Sequence, residues 1–222
     1  MISRMILGVD EAGRGCVIGP LVICGVLAGE ETIERFREMK VRDSKQLSRK
    51  KREQLGSEIM SVAEDFMLIK ISPVEIDEWL RVPGLNSLEA RKTAEIISRL
   101  KPPIAYIDAP GKGARDYARL INSAIHCGTQ VIAENFADRN YPVVSAASIL
   151  AKVHRDEVIR ELHIEYGDFG SGYPSDRKTR EFLTQYYHRQ GKFPDIVRTR
   201  WATVTRITSP QKAYLESSSV QN

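Results

Sequence analysis

The residues of this chain best suited to chemistry are carboxylates that close short apolar runs. Asp10 and Glu11 end the run Met5 to Val9 and lead into Gly13-Arg14-Gly15, Asp108 ends the run Ile104 to Ile107, and Glu134 and Asp138 follow Thr129 to Ala133. Carboxylates at the ends of separate strands gather in space although they are distant in sequence, because sites in such sheets form where strand ends converge. Clustered oxygen donors suit hard divalent ions such as Mg²⁺ and Mn²⁺. An ion of that kind activates a water and stabilises the leaving oxygen when a phosphate ester is displaced in line. Spacing alone leaves Glu134 and Asp138 as alternatives for the last position.

A polyanion would need cations, and the chain supplies them in one place. Arg42, Lys45, Arg49, Lys50, Lys51 and Arg52 put six cations into eleven residues, ahead of a helix expected from Ser48 to Ala63. Both the charge and a helix N-terminus near Ser48 favour phosphate. The Gly13-Arg14-Gly15 loop lets backbone groups and a guanidinium come close to a phosphate or ribose, since glycine removes the side chains that would block approach. A second loop, Gly167 to Pro174, carries three glycines with Phe169 and Tyr173, and its aromatics could stack on a sugar or base. The glycines at 13, 15 and 19 follow the spacing G-x-G-x-x-x-G, which is not the dinucleotide-binding fingerprint. His126, His154, His163 and His188 show no paired-ligand spacing, and Cys16, Cys24 and Cys127 read as small core hydrophobes.

These side chains must be positioned by an alternating set of elements. Met5 to Val9 reads as a buried strand that stops or bends at Asp10, because successive strand residues face opposite ways and both carboxylates otherwise could not reach one ion. Val17 to Leu27 reads as a second strand, antiparallel to the first. A helix over Glu30 to Lys40, a strand over Phe66 to Ile71 and a helix from Pro73 to Leu80 follow. Asn86 or Ser87 is expected to cap the next helix, which Pro102-Pro103 closes. Ile104 to Ile107, a helix from Ala114 to His126 and Thr129 to Ala133 make a β-α-β unit with parallel strands. A long helix spans Tyr141 to Tyr166, with Ser145 and Ser148 near its start and Lys152, Arg155 and Arg160 on its polar side. Helices over Ser175 to Arg189 and Ile196 to Ile207 end the ordered part.

Composition sets the outer bounds. The chain has 222 residues, 42% hydrophobic and 28% charged, with a formal charge of +4 and a pI near 8.9. That is enough chain for a substantial core, and it fits one domain, or one domain with an appendage, better than two independent ones. The mild basicity permits an anionic partner without requiring one. No apolar run approaches the roughly 18 residues that span a bilayer, and no signal peptide is evident, so a cytoplasmic protein without membrane contact is expected.

Six motifs in order also carry a family resemblance. Asp10-Glu11-Ala-Gly13-Arg14-Gly15, Asp43-Ser44-Lys45-Gln46-Leu47-Ser48, Tyr106-Ile-Asp108, Ala137-Asp138 with Tyr141-Pro142, Ser145-Ala-Ala-Ser148-Ile-Leu-Ala-Lys152 and Gly170-Ser-Gly172-Tyr173-Pro-Ser-Asp resemble the successive motifs of type 2 ribonuclease H, ribonuclease HII. The likeness runs from about residue 5 to 208 and is strongest to archaeal members, including Arg198-Thr-Arg200-Trp201 near the end.

The resemblance implies an α/β ribonuclease H fold, a mixed five-stranded sheet flanked by helices, with a helical C-terminal extension. Residues 1–166 would form the catalytic core, 167–208 the extension closing the substrate cleft, and 209–222 a flexible tail. It also implies cleavage of the RNA strand of RNA/DNA hybrids and of the 5′ side of single ribonucleotides in duplex DNA, leaving 3′-hydroxyl and 5′-phosphate ends, with Mg²⁺ or Mn²⁺. Asp10, Glu11, Asp108 and Asp138 match the family's catalytic and metal-site carboxylates, which selects Asp138 over Glu134. Gly13, Arg14 and Gly15 match the loop that senses the ribose 2′-hydroxyl. Tyr173 matches a tyrosine that stacks at the RNA–DNA junction, and Ser44 with Lys45 resembles a phosphate-contacting element. Ser148 and Lys152 match family positions whose roles are open. The tail contains no sliding-clamp motif of the Gln-x-x-hydrophobic-x-x-aromatic-aromatic type, and a monomer is expected.

Overall fold

The computed structural model describes residues 4–41, 48–81 and 84–209. Ser44 and Lys45 lie outside the described residues, as does the tail from residue 210. Five strands, β1 (Ile6–Ala12), β2 (Leu21–Ala28), β3 (Asp65–Ile71), β4 (Ile104–Asp108) and β5 (Gln130–Glu134), form one sheet in the order β3-β2-β1-β4-β5. The β1–β2 and β2–β3 pairs are antiparallel, while β1–β4 and β4–β5 are parallel. The mixed five-stranded sheet that the family resemblance implies is therefore present.

Helices cover both faces. On one side α3 (Pro73–Trp79), α4 (Leu85–Leu100) and α5 (Ala114–Ala124) pack Ile76, Leu88, Ile97 and Ile121 against Leu7, Val9, Ala105 and Ile107. On the other, α1 (Glu30–Glu38), α2 (Arg49–Val62) and α7 (Pro142–Tyr166) pack Phe36, Ile59, Val143 and Leu150 against Val22, Cys24 and Val26. Each fully buried side chain of this size is worth about 1.5–3 kcal/mol, so the strands' alternation is strongly enforced. A one-residue slip of β1 would drive Asp10 into the apolar layer that holds Val9.

The first half of α7 is buried on all sides, from Pro142 to Ala151, rather than on one face as its sequence suggests. It can lie this close to the sheet because Gly8 has no side chain: a Cβ there would collide with the backbone of Val143 and Val144. The N-cap of α4 is Gly84, at φ 79°, and neither Asn86 nor Ser87. The Ser87 hydroxyl instead donates to the Gly84 carbonyl at 2.7 Å and accepts from Trp79 Nε1 at 2.9 Å.

After α7 the chain forms α8 (Arg177–Gln190) and a short α9 (Ala202–Thr208). The helix expected from Ile196 starts six residues late, because residues before it are drawn back to the loop after β1: Val197 bridges Ile18, and the Arg198 amide donates to the Val17 carbonyl at 2.9 Å. Val17, Ile18, Ile159, Phe169, Leu183, Val197 and Val204 form a separate apolar cluster. That cluster fixes the C-terminal segment beside the glycine-arginine loop.

Candidate active site

Asp10 and Asp108 are brought together by strand register. Val9 pairs with Ile107 across the parallel β1–β4 contact, so Asp10 and Asp108 are the next residues along two neighbouring strands, about 4.8 Å apart in the usual sheet spacing. Both follow residues of the α4–α5 side and therefore turn to the α7 side. There the Ser148 hydroxyl bonds the Asp10 carboxyl, and Lys152 Nζ donates to Ser148 Oγ at 2.7 Å. Ser148 and Lys152 thus stand one helical turn apart and face Asp10. Burial, helped by the charge of Asp108, raises the Asp10 carboxyl to about 7, against the pull of Ser148, the Glu11 amide and Lys152.

Asp138 enters from α6 (Ala137–Asn140), a single turn. The amide of its neighbour Ala137 donates to Asp108 Oδ1 at 2.9 Å, and Ser145 Oγ donates to the Asp138 carbonyl, which sets this turn against the end of β4. Asp138 is 8% exposed. Glu134, the alternative left by spacing, lies beside Asp108 in register and accepts a hydrogen bond from the Tyr141 hydroxyl at 3.0 Å.

Glu11 behaves differently from the expected strand-end pair. The strand does not stop at Asp10 but continues to Ala12, so Asp10 and Glu11 alternate across the sheet. Glu11 faces the α4–α5 side, where its electrostatic neighbours include Glu89 and Arg14. Burial, then Asp10, Glu89 and Asp108, hold its carboxyl well above the usual range. Among the described residues no three His, Cys, Asp or Glu side chains are arranged to hold a metal ion as they stand. The donor set nevertheless fits one. Asp10 and Asp108 offer only oxygen to a shared space, and burial and mutual repulsion have raised Asp10, a cost that a divalent cation would offset. Glu11 can join them only if the end of β1 turns.

The loop Gly13 to Cys16 is held from three directions. Arg198, with no exposed surface, donates from Nη2 to the Gly13 carbonyl at 2.7 Å, from Nη1 to the Arg14 carbonyl at 2.8 Å and from Nε to the Gly19 carbonyl at 3.1 Å. In trans peptides the amides of Arg14 and Gly15 then point away from Arg198. Gly13 sits at φ 85°, a left-handed conformation natural to glycine, and a Cβ there would meet the Pro20 carbonyl at 2.6 Å. The Arg14 side chain, expected to approach a phosphate or ribose, is instead bound to α4 by Glu89 at 2.9 Å and Asn86 at 2.6 Å.

Tyr173 faces this loop from the C-terminal segment. A Cβ on Gly15 would lie 3.9 Å from its ring, and the Arg155 guanidinium lies 5.1 Å from the ring centroid. Burial and the neighbouring Cys16 thiol raise the Tyr173 hydroxyl to about 12. Arg155, which the sequence places on the polar side of its helix, is 7% exposed and donates to Cys16 Sγ at 3.0 Å and to the Ser171 carbonyl at 2.5 Å. A cleft of about 380 Å³ opens between these groups, lined by Glu11, Gly13 to Gly15, Arg52, Lys152, Arg155 and Tyr173.

The cationic face of α2 borders the cleft. Ser48 caps the helix, accepting from the Lys51 amide at 3.4 Å. Part of its charge is already balanced: Arg52 pairs with Asp156 at 3.1 Å and Arg49 with Glu53 at 3.2 Å. Glu89, Arg155 and Arg198 were not selected as site residues from sequence. Glu89 was detectable as a charge on a buried stripe with Thr93 and Ile97, whereas Arg155 and Arg198 are buried by long-range partners that the local pattern does not reveal.

Residues 7–204 match the family model described as Ribonuclease HII. Ribonuclease HII of Pyrococcus furiosus is 49% identical over 208 residues, covering 93% of this chain and 92% of that protein. The crystal structure of ribonuclease H2 from Pyrococcus horikoshii OT3 superposes with a TM-score of 0.86 at 46% identity, over 91% of this chain and 96% of that one. The ribonuclease HII in the PCNA:RNase HII complex from Archaeoglobus fulgidus gives 0.84 at 43% identity, over 92% and 97%.

Proposed function

This chain belongs to the ribonuclease HII family and is a ribonuclease H, and on that premise we propose that it cuts, with Mg²⁺ or Mn²⁺, the RNA strand of RNA/DNA hybrids and the 5′ side of single ribonucleotides in duplex DNA. The products would carry 3′-hydroxyl and 5′-phosphate ends. The observation that carries this reading is the placement of Asp10 and Asp108 just beyond the last paired residues of neighbouring parallel strands, beside a cleft lined by cations and an aromatic ring.

In this reading Asp10, Asp108 and Asp138 hold the cation, and Glu11 joins them when the end of β1 turns. Bound there, it supplies a water of lowered pKa and charge stabilisation for the leaving oxygen. Ser148 and Lys152 orient the Asp10 carboxyl. Arg52, Lys152 and the exposed Lys50 and Lys51 meet phosphates, and Ser44 with Lys45 extend that contact. The amides of the Gly13-Arg14-Gly15 loop meet the ribose, and Tyr173 stacks on the sugar at the junction. Residues 167–208 act as an extension that brings Tyr173 to the core formed by 1–166. No helix among the described residues is long and apolar enough to cross a membrane. The partner is duplex nucleic acid, met by a monomer, and we assign the tail no clamp contact.

The test is a labelled DNA duplex containing one ribonucleotide, beside an all-DNA control, incubated with Mg²⁺, Mn²⁺ or chelator. Metal-dependent cutting at the 5′ side of the ribonucleotide alone is expected. Cutting of both duplexes, or binding without cutting in either metal, would overturn the proposal.

A further inference from the structure

Arg14 occupies the middle of the loop assigned to the ribose, yet its guanidinium is committed to a helix. Its Nε donates to both oxygens of Glu89, at 2.9 and 3.1 Å, and its Nη2 to Asn86 Oδ1 at 2.6 Å. Asn86 and Glu89 lie three residues apart on the first turns of α4 and so share a face. Glu89 is 1% exposed, with Glu11 and Tyr117 also within its electrostatic reach.

Glu89 is buried but the Arg14 side chain is 37% exposed, and a half-buried ion pair is a weak way to hold a helix against a sheet, since solvent screens it and an apolar pair of similar size does as well or better. What an apolar pair lacks is direction. The planar guanidinium accepts partners only in fixed positions, so Glu89 and Asn86 determine where residue 14 points. Arg198 holds the Arg14 carbonyl at 2.8 Å. With side chain and carbonyl both held, the peptide planes on either side of Arg14 have little freedom, and these carry the amides of residues 14 and 15.

We infer that Glu89 is a positioning residue for the reaction: by gripping Arg14 through Nε, together with Asn86, it sets the orientation of the Gly13–Gly15 loop against the ribonucleotide. This rests on the reading that the loop meets the ribose. Glu89 touches neither the substrate nor the reacting atoms, and its influence passes through Arg14.

The test is a double-mutant cycle on the duplex with one ribonucleotide, measuring kcat and KM for the parent, Glu89→Gln, Arg14→Gln and the double variant. Glutamine keeps the shape of Glu89 and loses its charge. In the parent background Glu89→Gln should lower kcat about tenfold with KM changed less than about twofold, and in the Arg14→Gln background it should lower kcat less than about twofold. An equal loss in both backgrounds would make Glu89 a general support of α4 and overturn the inference, as would no loss in the parent. If urea titration shows Glu89→Gln to be unfolded, the exposed Asn86→Ala replaces it, with about a threefold fall in kcat expected in the parent and none beside Arg14→Gln. Equal effects of Asn86→Ala in the two backgrounds likewise overturn the inference. A parent that fails to cut this duplex in Mg²⁺ or Mn²⁺ removes the functional reading itself. A parent that cuts, with neither variant altering kcat, removes only the role given to Glu89.

Discussion

Replacing Asp10 by Asn should stabilise the metal-free protein at alkaline pH while abolishing its activity. Asp10 is 6% exposed, and its carboxyl is raised from 3.8 to about 7. A raised carboxyl favours the folded state when protonated. Its contribution to stability is fully present below about pH 3.8 and is lost as pH rises through about 7. Three pKa units at ~1.36 kcal/mol each make the ionised side chain unfavourable by about 4 kcal/mol in the folded state at pH 8.5, against about 2 kcal/mol at pH 5. Asparagine never ionises and keeps an oxygen to accept the Ser148 hydroxyl. Asp10→Asn should therefore gain roughly 2 kcal/mol at pH 5 and 4 kcal/mol at pH 8.5, the latter equal to about 8–16 °C in Tm for a chain of this length. Urea unfolding at both pH values in chelator measures the gain directly. Saturating Mg²⁺ should shrink or reverse it, because an ion bound by the folded parent alone stabilises that parent. A variant no more stable than the parent at pH 8.5, or a gain independent of pH, would refute the claim that burial and Asp108 make this carboxylate costly.

Asp108→Asn and Asp138→Asn, each still folded by circular dichroism, should lower metal-dependent cleavage of the single-ribonucleotide duplex by about a hundredfold or more, at or beyond the loss typical for residues that only support metal ligands. Gly8→Ala should cost about 3 kcal/mol or more in urea unfolding, since its Cβ meets the α7 backbone rather than a movable side chain. Arg198→Lys should destabilise by about 2–4 kcal/mol and lower kcat, because an ammonium cannot satisfy the carbonyls of residues 13, 14 and 19 together. Lys50→Ala with Lys51→Ala should raise KM and reduce the slope of log affinity against log salt by roughly one to two, read from binding isotherms between low and moderate salt.

The chain order of strands and helices was legible because local pattern and tertiary burial agree over most of it. Short apolar runs ended by turn formers became β1, β4 and β5, and Pro142 opened α7 as its fixed φ allows. Where they disagreed, a long-range partner decided. The α9 boundary moved because Val197 and Arg198 bond residues 17 and 18, nearly the whole chain length away. Arg155 looked like a surface cation on its helix, but the loops carrying Cys16 and Ser171 close over it and supply its partners. Asp108 could be placed from sequence since it ends its strand. Glu11 could not, because the alternation that sends it across the sheet depends on β1 continuing to Ala12, and that depends on pairing with Val22 of β2.

That continuation has a chemical consequence. If β1 stopped at Asp10, both acids would crowd one space with Asp108, and their mutual repulsion would add to the cost of burying each. By running on, the strand separates Asp10 and Glu11 across its thickness and gives Glu11 a neighbour of opposite charge, Arg14, whose effect lowers its pKa. Arg14 is in turn held to Glu89 and Asn86, so the acid pair and the glycine-arginine loop are parts of one electrostatic arrangement. A cation held by Asp10 and Asp108 would weaken the repulsion that Glu11 feels from Asp10 and so its need of the Arg14 charge. On the proposed reading, the carboxylate site and the Gly13–Gly15 loop would therefore be linked through one strand end, the same end of β1 that has to turn for Glu11 to join the cation.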